Sequence, residues 1–538
     1  MRVRLNMQTC GEYLVQVLEA YGVDTVFGIP GVHTVELYRG LPKTKIRHIT
    51  PRHEQGAGFM ADGYARTSGK IPACFIITGP GMTNIATAMG QAYADSIPML
   101  VISSVNGRHE LAHGDGRLHE LPNQQQLLAG VSAFSHTLMR PDELPDVLAR
   151  AFAVFNSARP RPVHIELPLD VITASAEHLK VPVAVKSSRP AAAPDAIAAA
   201  ATLLKNAKNP LLIFGGGAAD AAAQATAITE SLGAMAVTTI NGKGILPRDH
   251  ALSLGSTLCQ PPVLELLKNA DVVLAVGTEL GETDTLLFDA KPEINGQLIR
   301  IDLDPEQLYR NAPPSLAIVA DAKHALTALA DVVKDAVPLT GVAAQVAELR
   351  TQLQALINPT QNVHQRVIEA IRNVAPNTII IGDQNQPVYS GNLTFEPDTP
   401  RAWYNSSTGY GTLGYALPAA FGAKIACPDR PVVGLIGDGG LQFTLPEFAS
   451  AVEIGLNLPI VVWNNQCYGE IKKYMTDRDI TTIGVDIYTP DLLMIARGYG
   501  CHAERATSIA HLQELVAKAH VTTNPTVIEI NEADALSW

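Results

Sequence analysis

The chain has 538 residues, too many for one hydrophobic core, and the usual domain sizes divide it into about three units. Apolar residues make up 47% of it and mean hydropathy is +0.11, the balance of a well-buried globular protein. A formal charge of −12 and a pI near 5.7 argue against a surface built for polyanions, so nucleic acid is not expected as a partner.

At the N-terminus Arg2 and Arg4 are not followed by an apolar run of signal-peptide length, and no stretch is long enough to span a bilayer. Cys10, Cys74, Cys259, Cys427, Cys467 and Cys501 lie far apart without metal-ligand spacing. The expectation is a cytoplasmic protein with free thiols and no membrane partner.

Strand-like apolar runs alternate with helical patterns throughout, which predicts α/β architecture with mostly parallel sheets flanked by helices. In the first unit, Arg52-His53-Glu54-Gln55-Gly56 opens a helix rich in small residues (Gly56, Ala57, Gly58, Ala61, Gly63). Read alone, Glu54 is an acid complementing a helix N-terminus. The strand Cys74-Phe75-Ile76-Ile77 then runs into Thr78-Gly79-Pro80-Gly81 and a helix, and His119 shares a polar loop with His109 and His113.

Val181 to Pro194 reads as a linker. The middle unit contains Leu211-Leu212-Ile213-Phe214 followed by Gly215-Gly216-Gly217, which is not GxGxxG; a degenerate nucleotide-type fold kept for structure is expected. A second boundary surrounds Val337-Pro338 and continues through a polar helix near Gln345 to Gln354. The expected domains are residues 1–180, 190–338 and 360–538.

The last unit carries the sharpest signal. Gly437-Asp438-Gly439-Gly440 ends the run Val432–Ile436; 24 residues beyond Gly439 (positions 440 to 463) comes Asn464-Asn465, which ends Pro459–Trp463. Two parallel strands joined by a helix place Asp438 and Asn465 on one sheet edge, where ligands bind. A carboxylate, an amide oxygen and a backbone carbonyl suit Mg²⁺, and glycines let N–H groups approach a diphosphate. Between the strands, Thr444 and Glu447 have capping-box spacing, with Pro446 in the first turn.

With these motifs the chain resembles the thiamine diphosphate (ThDP) enzymes of the acetolactate synthase, pyruvate decarboxylase and benzoylformate decarboxylase group, over nearly its whole length. The resemblance implies pyrimidine-binding, central and diphosphate-binding domains in that order. It implies Mg²⁺ held by Asp438, Asn465 and the backbone carbonyl of Cys467, and a diphosphate on Gly439 and Gly440. It implies further cofactor contacts from Gly79, Asn385, Gln386, Gly411, Tyr468 and Gly469. Leu413 matches the residue that wedges the cofactor into its bent form, and is equally readable as core. Glu54 would exchange a proton with the aminopyrimidine and so activate the thiazolium carbon. Homodimers with shared active sites, assembling into a tetramer, are expected.

Gly277-Thr278-Glu279-Leu280-Gly281-Glu282-Thr283-Asp284 stands where acetolactate synthases carry an FAD-binding Arg-Phe-Asp-Asp-Arg stretch, so FAD is not expected. His119 falls near the histidine pair of pyruvate decarboxylase, and His33 matches an active-site histidine of benzaldehyde lyase; each is also readable as an idle loop histidine. Glu470 lies on the helix that borders the substrate in relatives. There it suits a cationic substrate, or is a solvated charge balanced by Lys472 and Lys473. The sequences around His33 and His119 look most like 5-guanidino-2-oxopentanoate (2-ketoarginine) decarboxylases, which implies decarboxylation of that 2-oxo acid to 4-guanidinobutanal. The alternatives are FAD-independent acetolactate synthesis from pyruvate, and a non-catalytic regulatory relative that binds ThDP or nucleotides.

Overall fold

A computed structural model describes residues 7–538, and in it each of three successive segments folds around one sheet whose strand pairs are all parallel. The strands are short apolar runs buried on both faces, as Leu100–Val105 and Pro459–Asn464 are along their whole length. That is what a parallel sheet covered by helices on both sides requires.

The first sheet has six strands in the order Arg47–Ile49, Thr25–Gly28, Ala73–Ile76, Leu100–Val105, Val163–Pro168, Phe134–Thr137. The third repeats that order with Trp403–Asn405, Ile379–Gly382, Val432–Gly437, Pro459–Asn464, Thr526–Asn531 and His502–Arg505. The two outer units therefore share one topology. The middle sheet has five strands, Leu316–Val319, Gln297–Asp302, Val272–Val276, Pro210–Phe214 and Met235–Thr238. Residues 181–193 form neither helix nor strand, and the polar helix Val342–Ala355 buries Val342, Val346 and Leu353 against the middle unit.

The outer units share one core, joined by the helices Glu54–Ser68 and Ala416–Ala426. These cross with main chain against main chain. A Cβ on Gly63 would come within 2.0 Å of the Ala419 carbonyl oxygen, and one on Gly422 within 1.8 Å of that of Met60. Gly63, among the small residues after Glu54, is thus explained by close helix approach.

In the middle unit Gly215 and Gly217 pack against Gly277, which leaves no room for a side chain at either. A cavity of 880 Å³ opens beside them, lined in part by Gly216, Asp302, Arg159 and Arg161, and none of the diphosphate-motif residues borders it. No helix among the described residues is long and apolar enough to cross a membrane.

Candidate active site

In both outer sheets the strand order reverses between the first and third strands, and crevices for ligands form at the carboxyl ends of strands at such points. In the third sheet this edge carries Asp383-Gln384-Asn385 after one strand and Asp438-Gly439-Gly440 after the other. Asp438 begins the short helix Asp438–Leu441. Its carboxylate accepts from the Asn465 N–H at 3.4 Å and from the Thr489 hydroxyl. Burial raises its pKa, and no cationic side chain pairs with it among the described residues.

Asn465 turns toward Asp438 because the next residue, Gln466, has φ 57° and the Cys467 N–H donates to Asn465 Oδ1 at 3.2 Å. Asn465 Nδ2 donates to Gln386 Oε1 at 3.2 Å. A Cβ on Gly439 would lie 2.8 Å from the Tyr468 ring, and one on Gly469 would lie 3.0 Å from Asn465 Nδ2, so both glycines are needed where they stand. Asp438, Gly439, Asn465, Cys467, Tyr468, Gly469 and Gln386 thus form one cluster. Asn385 supports it from below: its side chain accepts from Val388 N–H and donates to the Leu435 carbonyl.

Gly411 and Gly414 have φ 79° and bracket a half-buried Leu413. Asp383 holds this turn. Fully buried, its carboxylate accepts from the N–H groups of Gln384 (2.6 Å) and Gly414 (2.8 Å) and lies 3.0 Å from where a Gly440 Cβ would be.

The predicted capping box is not formed. Two helices, Asp438–Leu441 and Glu447–Glu453, replace the single one expected between the strands. The Thr444 hydroxyl donates to the Gly414 carbonyl at 3.0 Å, and the Glu447 carboxylate leaves its own helix to accept from the N–H groups of Arg52 and His53. A long-range partner outcompetes the local one here.

In the first unit Glu54 begins its helix, with His53 as N-cap. Asn84 Nδ2 donates to Glu54 Oε2 at 2.9 Å, and Gly81 keeps space beside Oε1. The Gly79 turn (φ 71°) packs so tightly on His119 that a Cβ would lie 2.7 Å from the His119 carbonyl oxygen. Buried Gln124 fixes the turn by accepting from the Thr78 hydroxyl (2.8 Å) and the Gly79 N–H (3.1 Å). His119 itself has φ 61°, a strained conformation of the kind that concentrates at functional sites. Its ring meets that of His33 edge to face. Burial, and then the neighbouring His119, lower the pKa of His33.

Glu470 is exposed on the helix Gly469–Thr476. The balancing charges expected for it pair elsewhere, Lys472 with Asp486 and Lys473 with Asp477. Within one chain no hydrogen bond joins Glu54 or the histidines to the Asp438 cluster among the described residues. Sequence reasoning missed Asp383, Gln124, Asn84 and Thr489, of which only Asp383, directly after an apolar strand, carried a local signal; Glu447 carried one that pointed to a local cap instead of to Arg52 and His53.

Comparison with known proteins matches three family models in sequence: the N-terminal thiamine pyrophosphate (ThDP) binding domain of thiamine pyrophosphate enzymes over residues 8–127, their central domain over 197–329, and their C-terminal ThDP-binding domain over 387–530. The chain belongs to this ThDP-dependent enzyme family. It is 46% identical to a probable 2-ketoarginine decarboxylase of Pseudomonas aeruginosa, over 98% of this chain and 94% of that protein. It is 33% identical to the large subunit of acetolactate synthase isozyme 1 of Escherichia coli, over 94% and 92%, and 31% identical to that of Corynebacterium glutamicum, over 98% and 88%.

The residues present fit the cofactor. Asp438 is a desolvated carboxylate that no cationic side chain pairs with among the described residues, beside an amide oxygen, which suits a hard divalent ion.

Proposed function

We propose that this ThDP enzyme catalyses non-oxidative decarboxylation of a 2-oxo acid to an aldehyde and CO₂, with Mg²⁺ held by Asp438, Asn465 and the Cys467 carbonyl. The preferred substrate is 5-guanidino-2-oxopentanoate, giving 4-guanidinobutanal. The similarity to a probable 2-ketoarginine decarboxylase supports the substrate. The observation that carries the reaction type is the half-buried His33–His119 pair beside the Gly79 turn, each ring with a buried Nδ1.

Bound ThDP supplies a carbon nucleophile and an electron sink for the bond broken as CO₂ leaves. Glu54, steadied by Asn84, holds the proton exchanged at the aminopyrimidine ring. The histidines deliver a proton to the former carbonyl carbon, so that the product leaves as an aldehyde rather than attacking a second carbonyl. Leu413, half-buried in the Gly411–Gly414 turn, would support the cofactor from that side.

The working unit is a homodimer. Exposed Val32, Val35 and Leu118 flank the histidines, and exposed Phe443, Ile471 and Tyr474 flank the Asp438 segment, which gives each half-site an apolar rim for a second copy. A tetramer of two such dimers is the expected assembly.

The test is CO₂ release and aldehyde formation by purified protein with ThDP and Mg²⁺, comparing the guanidino acid with pyruvate, benzoylformate and branched 2-oxo acids. Preferential conversion of the guanidino acid to aldehyde supports the proposal. Acetolactate from pyruvate favours the second reading, suggested by the acetolactate synthase relatives.

A further inference from the structure

We propose that Glu447 is a positioning residue for Glu54, acting from the C-terminal domain on the peptide that introduces the helix Glu54–Ser68. The inference rests on the ThDP reading of Glu54 given above.

Glu447 is fully buried on the helix Glu447–Glu453. Its carboxylate accepts from the Arg52 N–H, with both oxygens at 3.1 Å, and from the His53 N–H at 3.0 Å. Its remaining protein partner is the Ser450 hydroxyl, which donates at 2.8 Å. These backbone donors immediately precede a helix, where N–H groups have no intrahelical acceptor and a negative charge is stabilised.

Two further contacts tie the same segment to the same helix. The Arg52 guanidinium pairs with Glu453, the last residue of that helix. Gly56, early in the catalytic helix, has no room for a side chain, because a Cβ would lie 2.1 Å from Glu447 Oε1. The residues on either side of Glu54 are therefore fixed by the C-terminal domain. The edge strand of the first sheet that precedes them ends at Ile49.

The function of such a clamp is angular. Glu54 is the first residue of its helix, so a small rotation of residues 52–53 swings its carboxylate off the ring nitrogen it must meet, and a misplacement of about 1 Å can cost on the order of 10²-fold in rate.

The test compares wild-type holoenzyme with Glu447→Gln. Three quantities are read: turnover, the ThDP dissociation constant by tryptophan fluorescence, and hydrogen–deuterium exchange at C2 of bound ThDP. Gln keeps the volume but turns a donor toward N–H groups. Exchange and kcat should fall together by about 10- to 100-fold, with KM and ThDP affinity within about threefold of wild type. Gly56→Ala should resemble it, and Ser450→Ala, the mildest change, should slow exchange about threefold.

Exchange and kcat within about twofold of wild type in folded Glu447→Gln would overturn the proposal. So would parallel loss of ThDP affinity, which marks a merely structural role. If Glu447→Gln does not fold, unchanged exchange in Ser450→Ala overturns it. A wild-type protein that binds no ThDP overturns the functional reading along with the clamp, whereas normal wild-type exchange with unaffected variants overturns the clamp alone.

Discussion

The imidazole rings of His33 and His119 lie edge to face with centroids 5.3 Å apart, and each has a buried Nδ1 without a hydrogen-bond partner among the described residues. Two such groups, lacking partners in a single chain, are available to a substrate or its protons.

The pair should act as a unit in protonating the product. His33→Ala and His119→Ala are each expected to lower aldehyde release by about 10²- to 10⁴-fold, and the double variant by little more than either. His33 titrates below the ordinary histidine value, so its charged form, and any rate that depends on it, is lost as pH rises through that lowered value. His119→Ala removes one cause of the lowering, and the pH limb should move upward. His119→Gly offers a control, since glycine accepts φ 61° without strain: stability should hold or rise by up to about 1 kcal/mol while turnover is lost. Steady-state pH profiles and thermal melts decide both points.

Asp383 and Glu447 should each contribute stability to the cofactor-free protein that is lost as pH rises from about 4 to above 7. Burial pushes the pKa values of Asp383 and Glu447 up to about 7, whereas carboxyls in the unfolded chain titrate near 4. In that window the native state holds more protons than the unfolded one, so the stability slope with pH is negative. Denaturant melts at about pH 5 and pH 8 should differ by a few kcal/mol from these groups, since each tenfold difference in proton affinity between the two states is worth about 1.4 kcal/mol. Asp383→Asn should flatten part of the slope. It should also weaken ThDP binding about tenfold, because its amide turns a donor toward the Gln384 and Gly414 N–H groups from which the carboxylate now accepts.

Much of this site was legible because its motifs are local. Asp438 and Asn465 end strands that pair in parallel, and their spacing alone placed them on one edge. Glu54 was legible as a helix start. Its neighbours were not: Thr444 and Glu447 have a local capping pattern, yet the acceptor role of Glu447 is fulfilled 395 residues away in sequence, at Arg52. The pairing of His33 with His119 likewise depends on two loops from different strands of one sheet. Small residues on the Glu54 helix were visible as a list, but their causes, Gly63 against the Ala419 main chain, Gly56 against Glu447 and Gly58 against Ala88, belong to tertiary packing.

Mg²⁺ should be required for cofactor retention. Chelation is expected to release ThDP and lower the melting temperature to that of the cofactor-free protein, since a ligand bound only by the native state stabilises it by mass action. Asp438→Asn should raise the Mg²⁺ concentration needed for half-activation by at least about tenfold, with Thr489→Val a milder case because it removes only a hydroxyl donor to that carboxylate.

Gly422→Ala should separate the outer units. Its Cβ would lie 1.8 Å from the Met60 carbonyl oxygen, a rigid main-chain atom that cannot rotate away. The expected loss is about 3 kcal/mol or more, read from denaturant melts, with ThDP binding weakened because the helix Ala416–Ala426 follows closely on the Leu413 turn.

Glu470 should separate the substrate classes. It is exposed, and among the described residues it makes no ion pair, since Lys472 and Lys473 are engaged by Asp486 and Asp477. It nevertheless lies close enough to Tyr389 to help burial and Asp383 raise that hydroxyl's pKa, and Tyr389 in turn donates to Gln384 Oε1 at 2.7 Å. The carboxylate therefore stands beside the loop that leads to Gln386, unpaired, where a guanidinium can form a charge-assisted pair. Such a bond contributes about 1.5–3 kcal/mol, so Glu470→Gln should lower kcat/KM for 5-guanidino-2-oxopentanoate by about 10- to 100-fold while leaving conversion of pyruvate within about twofold. Equal losses on both substrates would assign Glu470 to the support of Tyr389, and no loss on either would return it to the solvated surface.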